Sequence, residues 1–159
     1  MTDSNKYSNW VLKSPKGSDE RYTPKWVFDN LGLTFTLDVA APIGGAPNVP
    51  AQKHYSIEED GLTQEWWGLV WCNPPYSNPT PWMSKFREHA NGVALIPTSN
   101  GKWFHELYAD SRTILRPIPK MHFEFPDGSL TKGQSPFVCW LVGIGEIGFR
   151  AVASMSFDR

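Results

Sequence analysis

The chain has 159 residues, enough for one compact domain around one core and too few for a second folding unit. A hydrophobic fraction of 40% against a charged fraction of 19% excludes wholesale disorder. A formal net charge of -1 excludes a global electrostatic footprint for nucleic acid, so any grip on a polyanion must come from a local patch.

Met1 to Asp19 is rich in Ser, Lys and Asn and reads as a flexible polar arm (residues 1–19), ahead of a single folded domain (residues 20–159). Thr23 followed by Pro24 predicts a helix start, with the hydroxyl as N-cap and the proline at the first helical position. The helix should run from Pro24 to Leu31 and close at Gly32. Leu33 to Ala41 is apolar and β-prone, as expected of a buried strand that carries Asp38 near its C-terminal edge. Pro42, Gly44, Gly45, Pro47 and Pro50 mark one irregular loop, and Glu58 to Gly61 mark another after His54-Tyr55.

Trp67 to Cys72 predicts a second strand, ended at Asn73 by two prolines that cannot continue a central ladder. A helix over Pro81 to Ala90 and a strand over Gly92 to Pro97 follow, and then Thr98 to Asp110 as a loop leading into a helix. Ser111 to Arg116, Met121 to Phe125, Phe137 to Gly143 and Gly148 to Ser154 read as strands, with turn chemistry at Pro126-Asp127-Gly128. Early alternation of strand and helix argues for an α/β sheet, and late consecutive strands for an antiparallel hairpin at its edge. There is no internal repeat.

Cys72 and Cys139 lie in apolar runs and are expected as buried, reduced thiols, which suits a cytosolic setting. Neither a signal-peptide core nor an apolar stretch of membrane-spanning length is present. His54, His89, His105 and His122 fall at no metal-ligand spacing with one another or with the cysteines, so no metal is expected. The eight Trp, nine Phe and five Tyr serve equally as core and as stacking platforms. Trp66, Trp67, Trp71 and Trp82 are expected first as core or core-rim residues.

In an open α/β sheet, ligands lie outside the carboxyl ends of the strands, where Asp38, Asn73 and Thr98-Ser99-Asn100 would fall together. Asn73-Pro74-Pro75-Tyr76 carries a specific chemistry there. An adenine amino nitrogen is a poor nucleophile because its lone pair is delocalised into the ring. The Asn73 side-chain oxygen and the Pro74 carbonyl could accept its two hydrogens and favour a tetrahedral nitrogen. The two prolines hold that backbone acceptor in place, and Tyr76 would stack on a flipped-out base. A proline-punctuated turn with Tyr76 packed on the surface is the plainer alternative.

Taken in order and spacing, the motifs resemble the short phage-type DNA N6-adenine methyltransferases related to Dam-like enzymes. The landmarks are Thr23-Pro24-Lys25-Trp26, Leu37-Asp38-Val39-Ala40-Ala41, Asp60-Gly61-Leu62 with Trp66 or Trp67, and Trp71-Cys72-Asn73-Pro74-Pro75-Tyr76-Ser77. Ala94-Leu95-Ile96-Pro97 and Trp103-Phe104 follow, so the resemblance covers the chain from Thr23 to about Val142. It implies a reduced Rossmann-like sheet with flanking helices that forms a catalytic domain using S-adenosylmethionine. It also implies a phage or prophage protein acting on DNA in the host cytoplasm, with homo-oligomerisation left open.

By that resemblance Asn73, Pro74, Pro75 and Tyr76 would be catalytic. Thr23, Pro24 and Trp26 would lie near the methionine end of the cofactor, and Asp38, Val39, Ala40 and Ala41 would form its first loop. Asp60, Gly61 and Leu62 would contact the adenosine. From their place after strand ends, Tyr76, Ser77, Ser99, Asn100 and Trp103 are expected at the target base, with Trp103-Phe104 reading first as the packed face of a helix. Asp38-Val39-Ala40-Ala41 stands where methyltransferases usually carry a glycine-rich turn. No target-recognition domain is evident, so specificity would come from loops, the arm or a partner subunit.

Asp38 is also how a strand-end turn is written, and Glu58, Glu59 and Asp60 how a solvated acidic loop is. Lys13, Lys16, Arg21 and Lys25 form a basic cluster that would contribute affinity to phosphates or stand solvated. Two other functions fit the residues: methylation of a protein glutamine, whose amide nitrogen has the same delocalised lone pair, and a non-catalytic nucleic-acid-binding module. A zinc base deaminase is excluded, since its His-x-Glu and Pro-Cys-x-x-Cys elements are absent.

Overall fold

The computed structural model describes residues 22–119, 121–124 and 138–157. Their elements are α1 (Lys25–Leu31), β1 (Phe35–Asp38), β2 (Ala51–His54), β3 (Val70–Cys72), α2 (Thr80–His89), β4 (Gly92–Pro97), α3 (Lys102–Ala109), β5 (Thr113–Ile118), β6 (Cys139–Ile144) and α4 (Gly145–Ala153). The strands form one six-stranded sheet in the order β2-β1-β3-β4-β6-β5. The first four are parallel, and β6 runs antiparallel between β4 and β5, a mixed sheet consistent with a methyltransferase-like fold and the expected antiparallel edge.

Alternation along β3, β4 and β6 sends side chains to two helical layers. Ala94 and Ile96 of β4 join Leu37, Val70 and Cys72 beneath Trp82, Met83 and Phe86 of α2 and Trp103, Phe104 and Leu107 of α3. Val93 and Leu95 face the other way, with Phe35, Trp71 and Leu141, beneath Val27, Phe28 and Leu31 of α1 and Val152 of α4. Phe28 meets the Trp71 ring edge-on at 4.7 Å, seating α1 over the middle of the sheet. Cys72 and Cys139 are free and buried.

Four local expectations change, and one strand, β2, was not expected. Pro24, not Thr23, is the N-cap of α1, and no side chain caps it. Thr23 is instead buried, and its carbonyl accepts a hydrogen bond from Asn48 at 2.9 Å. The first strand occupies only Phe35–Asp38 of Leu33 to Ala41, because the chain turns at Val39 to return to β2. β2 itself carries no apolar alternation. Gln52, Lys53 and His54 are exposed, and the strand is held to β1 by its backbone at the sheet edge.

Of Met121 to Phe125, residues 121–123 form no ladder, and Glu124 makes a single antiparallel bridge to Tyr22. Met121 and Phe123 are nonetheless buried, which is why their alternation looked strand-like. Gly148 to Ser154 is helical over α4 up to Ala153. Its buried positions Gly148 and Val152 are four apart, the period of a helix face, and a Cβ at Gly148 would collide with the Gly92 carbonyl. The arm, with Lys13, Lys16 and Arg21, and the Pro126-Asp127-Gly128 turn lie outside the described residues. Among the described residues no helix is long and apolar enough to cross a membrane.

Candidate active site

From β1 the chain passes to β2 on one side and later to β3 on the other, so the order of the sheet reverses between β1 and β3. A crevice opens at the carboxyl ends of strands at such a switch point. Asp38 ends β1, level with Trp71, and Asn73 follows the end of β3, so one residue stands on each lip. The Val39 N–H donates to the Trp71 carbonyl at 3.0 Å, and the Tyr55 N–H to the Asp38 carbonyl at 2.8 Å. The rim is thereby stitched together from three strand ends.

Asp38 is 2% exposed, and its carboxylate accepts one long bond, 3.3 Å, from the Ala40 N–H. Burial pushes this carboxyl up to about 7, offset only in part by that bond. The same burial, with the Asp38 charge nearby, raises the Cys72 thiol well above its ordinary range. A buried carboxyl so weakly compensated is suited to receive a cationic group.

The Asp60 loop packs directly on this rim. A Cβ on Gly61 would collide with the Val39 carbonyl, so only glycine lets the loop close against the end of β1. Asp60 adopts a left-handed φ of 61°, sparsely populated for a non-glycine residue, and its carboxylate accepts from the Leu62 N–H at 3.2 Å. Glu58 is exposed. Glu59 accepts from the Ser56 N–H at 2.7 Å and the Ser56 hydroxyl at 3.0 Å, bonds that hold its carboxyl below the ordinary range. The acidic run is therefore partly internal structure.

On the other lip, Pro74 and Pro75 are buried and the Asn78 N–H donates to the Pro75 carbonyl at 3.2 Å, closing the turn. The Asn73 Oδ1 atom is buried with no hydrogen-bond partner. Few buried acceptors in native proteins are left so, and each calls for a reason. The Tyr76 hydroxyl donates to the Leu95 carbonyl at 3.3 Å while its half-buried ring packs against the α1 side of the core, and burial raises its pKa well above the ordinary value.

The remaining expected site residues are spread more widely. Asn48 donates to both the Thr23 carbonyl and the Glu124 carboxylate, tying Thr23-Pro24 to the loop that leaves the β1 rim. Trp26 stands 39% exposed on α1, apart from its buried face. Ser77 and Asn100 are exposed, whereas the Ser99 hydroxyl accepts from the Gly101 N–H at 2.9 Å ahead of α3. Trp103 is nearly buried, edge-on to Phe104 at 5.6 Å.

Sequence reasoning passed over Tyr55 and Ser56 at the end of β2, and Lys85, whose ammonium donates to the Leu62 and Gln64 carbonyls. The Ser56-x-x-Glu59 spacing, a capping-box signature, was the available signal for the first loop. Nothing local marks Lys85. No group of three metal-binding side chains occurs among the described residues.

The model of the family described as DNA N-6-adenine-methyltransferase (Dam) matches residues 12–133. A DNA N-6-adenine-methyltransferase of Haemophilus phage HP1 (strain HP1c1) is 32% identical over 126 residues, covering 72% of this chain and 67% of that protein. A DNA N-6-adenine-methyltransferase of Escherichia phage T1 is 36% identical over 89 residues, covering 51% of this chain and 36% of that protein, so the chain spans only part of either relative. No solved structure matches the chain. With the family match running through the rim, the Asp60 loop and the Asn73 turn alike, the chain belongs to the DNA N-6-adenine-methyltransferase (Dam) family.

Proposed function

We propose that the chain transfers the methyl group of S-adenosylmethionine to the N6 amino group of adenine in DNA, with the Asn73 turn acting on the adenine and the β1 rim holding the cofactor. The observation that carries this reading is the buried, unpartnered Asn73 Oδ1 at the switch-point crevice. An orphaned buried acceptor costs about 1–3 kcal/mol, a cost removed when an amino hydrogen arrives. Family membership supports the same substrate.

The residues on the rim fit the cofactor. Asp38 offers a buried carboxylate to its ammonium, the Asp60 loop, closed on Val39 through Gly61, lines the adenosine side, and Thr23-Pro24 borders the methionine end. When bound, S-adenosylmethionine supplies an electrophilic sulfonium methyl.

Asn73 Oδ1 and the Pro74 carbonyl accept the two N6 hydrogens and draw the nitrogen lone pair out of the ring plane toward the methyl donor. Pro74 and Pro75 hold that pair of acceptors before substrate arrives, so little reorganisation is needed during the reaction. Neither oxygen is a strong base. The nitrogen becomes acidic as it gains the methyl, and the proton it sheds passes to solvent. Tyr76, anchored through Leu95, borders the turn on which the extruded base rests.

The test is incubation with unmethylated DNA and methyl-labelled S-adenosylmethionine, then nucleoside digestion and mass spectrometry. Labelled N6-methyladenine is expected. A folded, cofactor-binding protein that leaves every nucleoside unmodified would overturn the substrate assignment.

A further inference from the structure

We infer that Lys85 is a positioning residue: from α2 it clamps the loop between Asp60 and Trp66 in the shape that closes the cofactor crevice. This rests on the reading of that crevice as the S-adenosylmethionine site.

The Lys85 ammonium donates to the Leu62 carbonyl at 2.9 Å and the Gln64 carbonyl at 2.5 Å, and it lies 5.3 Å from the centre of the Trp66 ring. Three donors are thus directed at one loop, two at backbone oxygens and one toward an aromatic face. Burial lowers the ammonium's pKa although Glu88 and Asp60 act to raise it, so the group has given up hydration to make these contacts.

The clamp acts on the cofactor side through Gly61. Trp66 donates its indole N–H to the Gly61 carbonyl at 2.8 Å, and its ring stacks on Trp82 of α2 at 6.4 Å. Gly61 is therefore held from behind by Trp66 while its front lies on the Val39 carbonyl. Lys85 stands three residues beyond Trp82 on the same helix, and that helix begins just after the Asn73 turn, at Thr80. One rigid element thereby sets both lips of the crevice.

A merely stabilising lysine would affect the melting temperature without separating the kinetic constants. The clamp makes a narrower prediction. By calorimetry, Lys85→Met should bind S-adenosylmethionine about tenfold more weakly, as befits loss of charged hydrogen bonds that order a binding loop. The KM for cofactor should rise in step, with kcat at saturation and the KM for DNA unchanged. Lys85→Arg, which still reaches two carbonyls, should stay within about threefold of wild type. Hydrogen exchange should show faster exchange at the amides of Leu62 and Thr63 in Lys85→Met and not in Lys85→Arg. Where Lys85→Met does not fold, Lys85→Gln keeps a shorter donor and should show the same direction of change. Wild-type affinity in a folded Lys85→Met or Lys85→Gln overturns the clamp alone. A wild-type protein that binds no S-adenosylmethionine overturns the cofactor reading and the clamp with it.

Discussion

Asp38→Asn tests the cofactor rim most directly, because the same carboxyl governs stability and binding with opposite signs. Its pKa is raised from 3.8 to about 7 by burial. At about 1.4 kcal/mol per pH unit, that is a preference of about 4 kcal/mol for the neutral form in the folded chain. The unfolded chain loses this proton near pH 4 and the folded chain keeps it to about 7, so the folded state binds more protons between those values. Stability from this group therefore falls as pH rises from about 4 to about 7, then levels off. Asparagine has the shape of the neutral carboxyl and does not ionise. The difference in unfolding free energy between Asp38→Asn and wild type, from urea melts at a series of pH values, should move in favour of the variant by about 4 kcal/mol across that window. Binding should move the other way. Wild-type affinity for S-adenosylmethionine should tighten as pH approaches 7, whereas Asp38→Asn should bind about 10–100-fold more weakly with little pH dependence below 7, having lost a charge-assisted hydrogen bond. A difference in stability that stays flat from pH 4 to 8 would refute the burial cost, and a variant that binds cofactor as tightly as wild type would refute the pairing with ammonium.

Asn73→Ala should lower kcat by about 10²–10³-fold or more while leaving S-adenosylmethionine affinity close to wild type, as the proposed action of Asn73 on the target nitrogen requires; near-normal labelled-methyl transfer would sink the mechanism. Tyr76→Phe removes only the hydroxyl that reaches Leu95 and should cost less than about tenfold in kcat/KM, whereas Tyr76→Ala also removes the ring and should cost more. Equal losses in steady-state kinetics would place the whole contribution in the hydroxyl. Gly61→Ala puts a methyl group into the Val39 carbonyl and should destabilise the fold by about 1–3 kcal/mol, with cofactor affinity reduced in parallel. An unchanged melting temperature by scanning calorimetry would show that the loop does not lie against β1.

What could be read from the sequence was chemistry carried by neighbours in the chain. Gly92–Pro97 is a strand at its expected bounds because its residues are buried on both faces, and a continuous apolar run declares that directly. Asn73 could be placed just beyond a strand end because the two prolines after it forbid a ladder, and Asp38 because an apolar run leads to it. Helices α2 and α3 were visible by their period and their breakers. Other features depended on partners far along the chain. β2 exists because β1 offers it a backbone edge, with no side-chain pattern of its own, so the end of β2, with Tyr55 and Ser56, stayed hidden. α4 looked like a strand until the close seat of Gly148 on Gly92 gave its glycines a meaning. Trp103 and Phe104 read from the sequence as a packed helix face, and the seat of α3 on the sheet bears that out. The meeting of Gly61 with Val39, and the reach of Lys85 across 21 and 23 residues to two carbonyls, are consequences of tertiary closure. Local covalent constraint and burial pattern determined where the reactive groups stand along the chain. Long-range packing decided which of them share a crevice, because no local interaction energy depends on residues that distant in sequence.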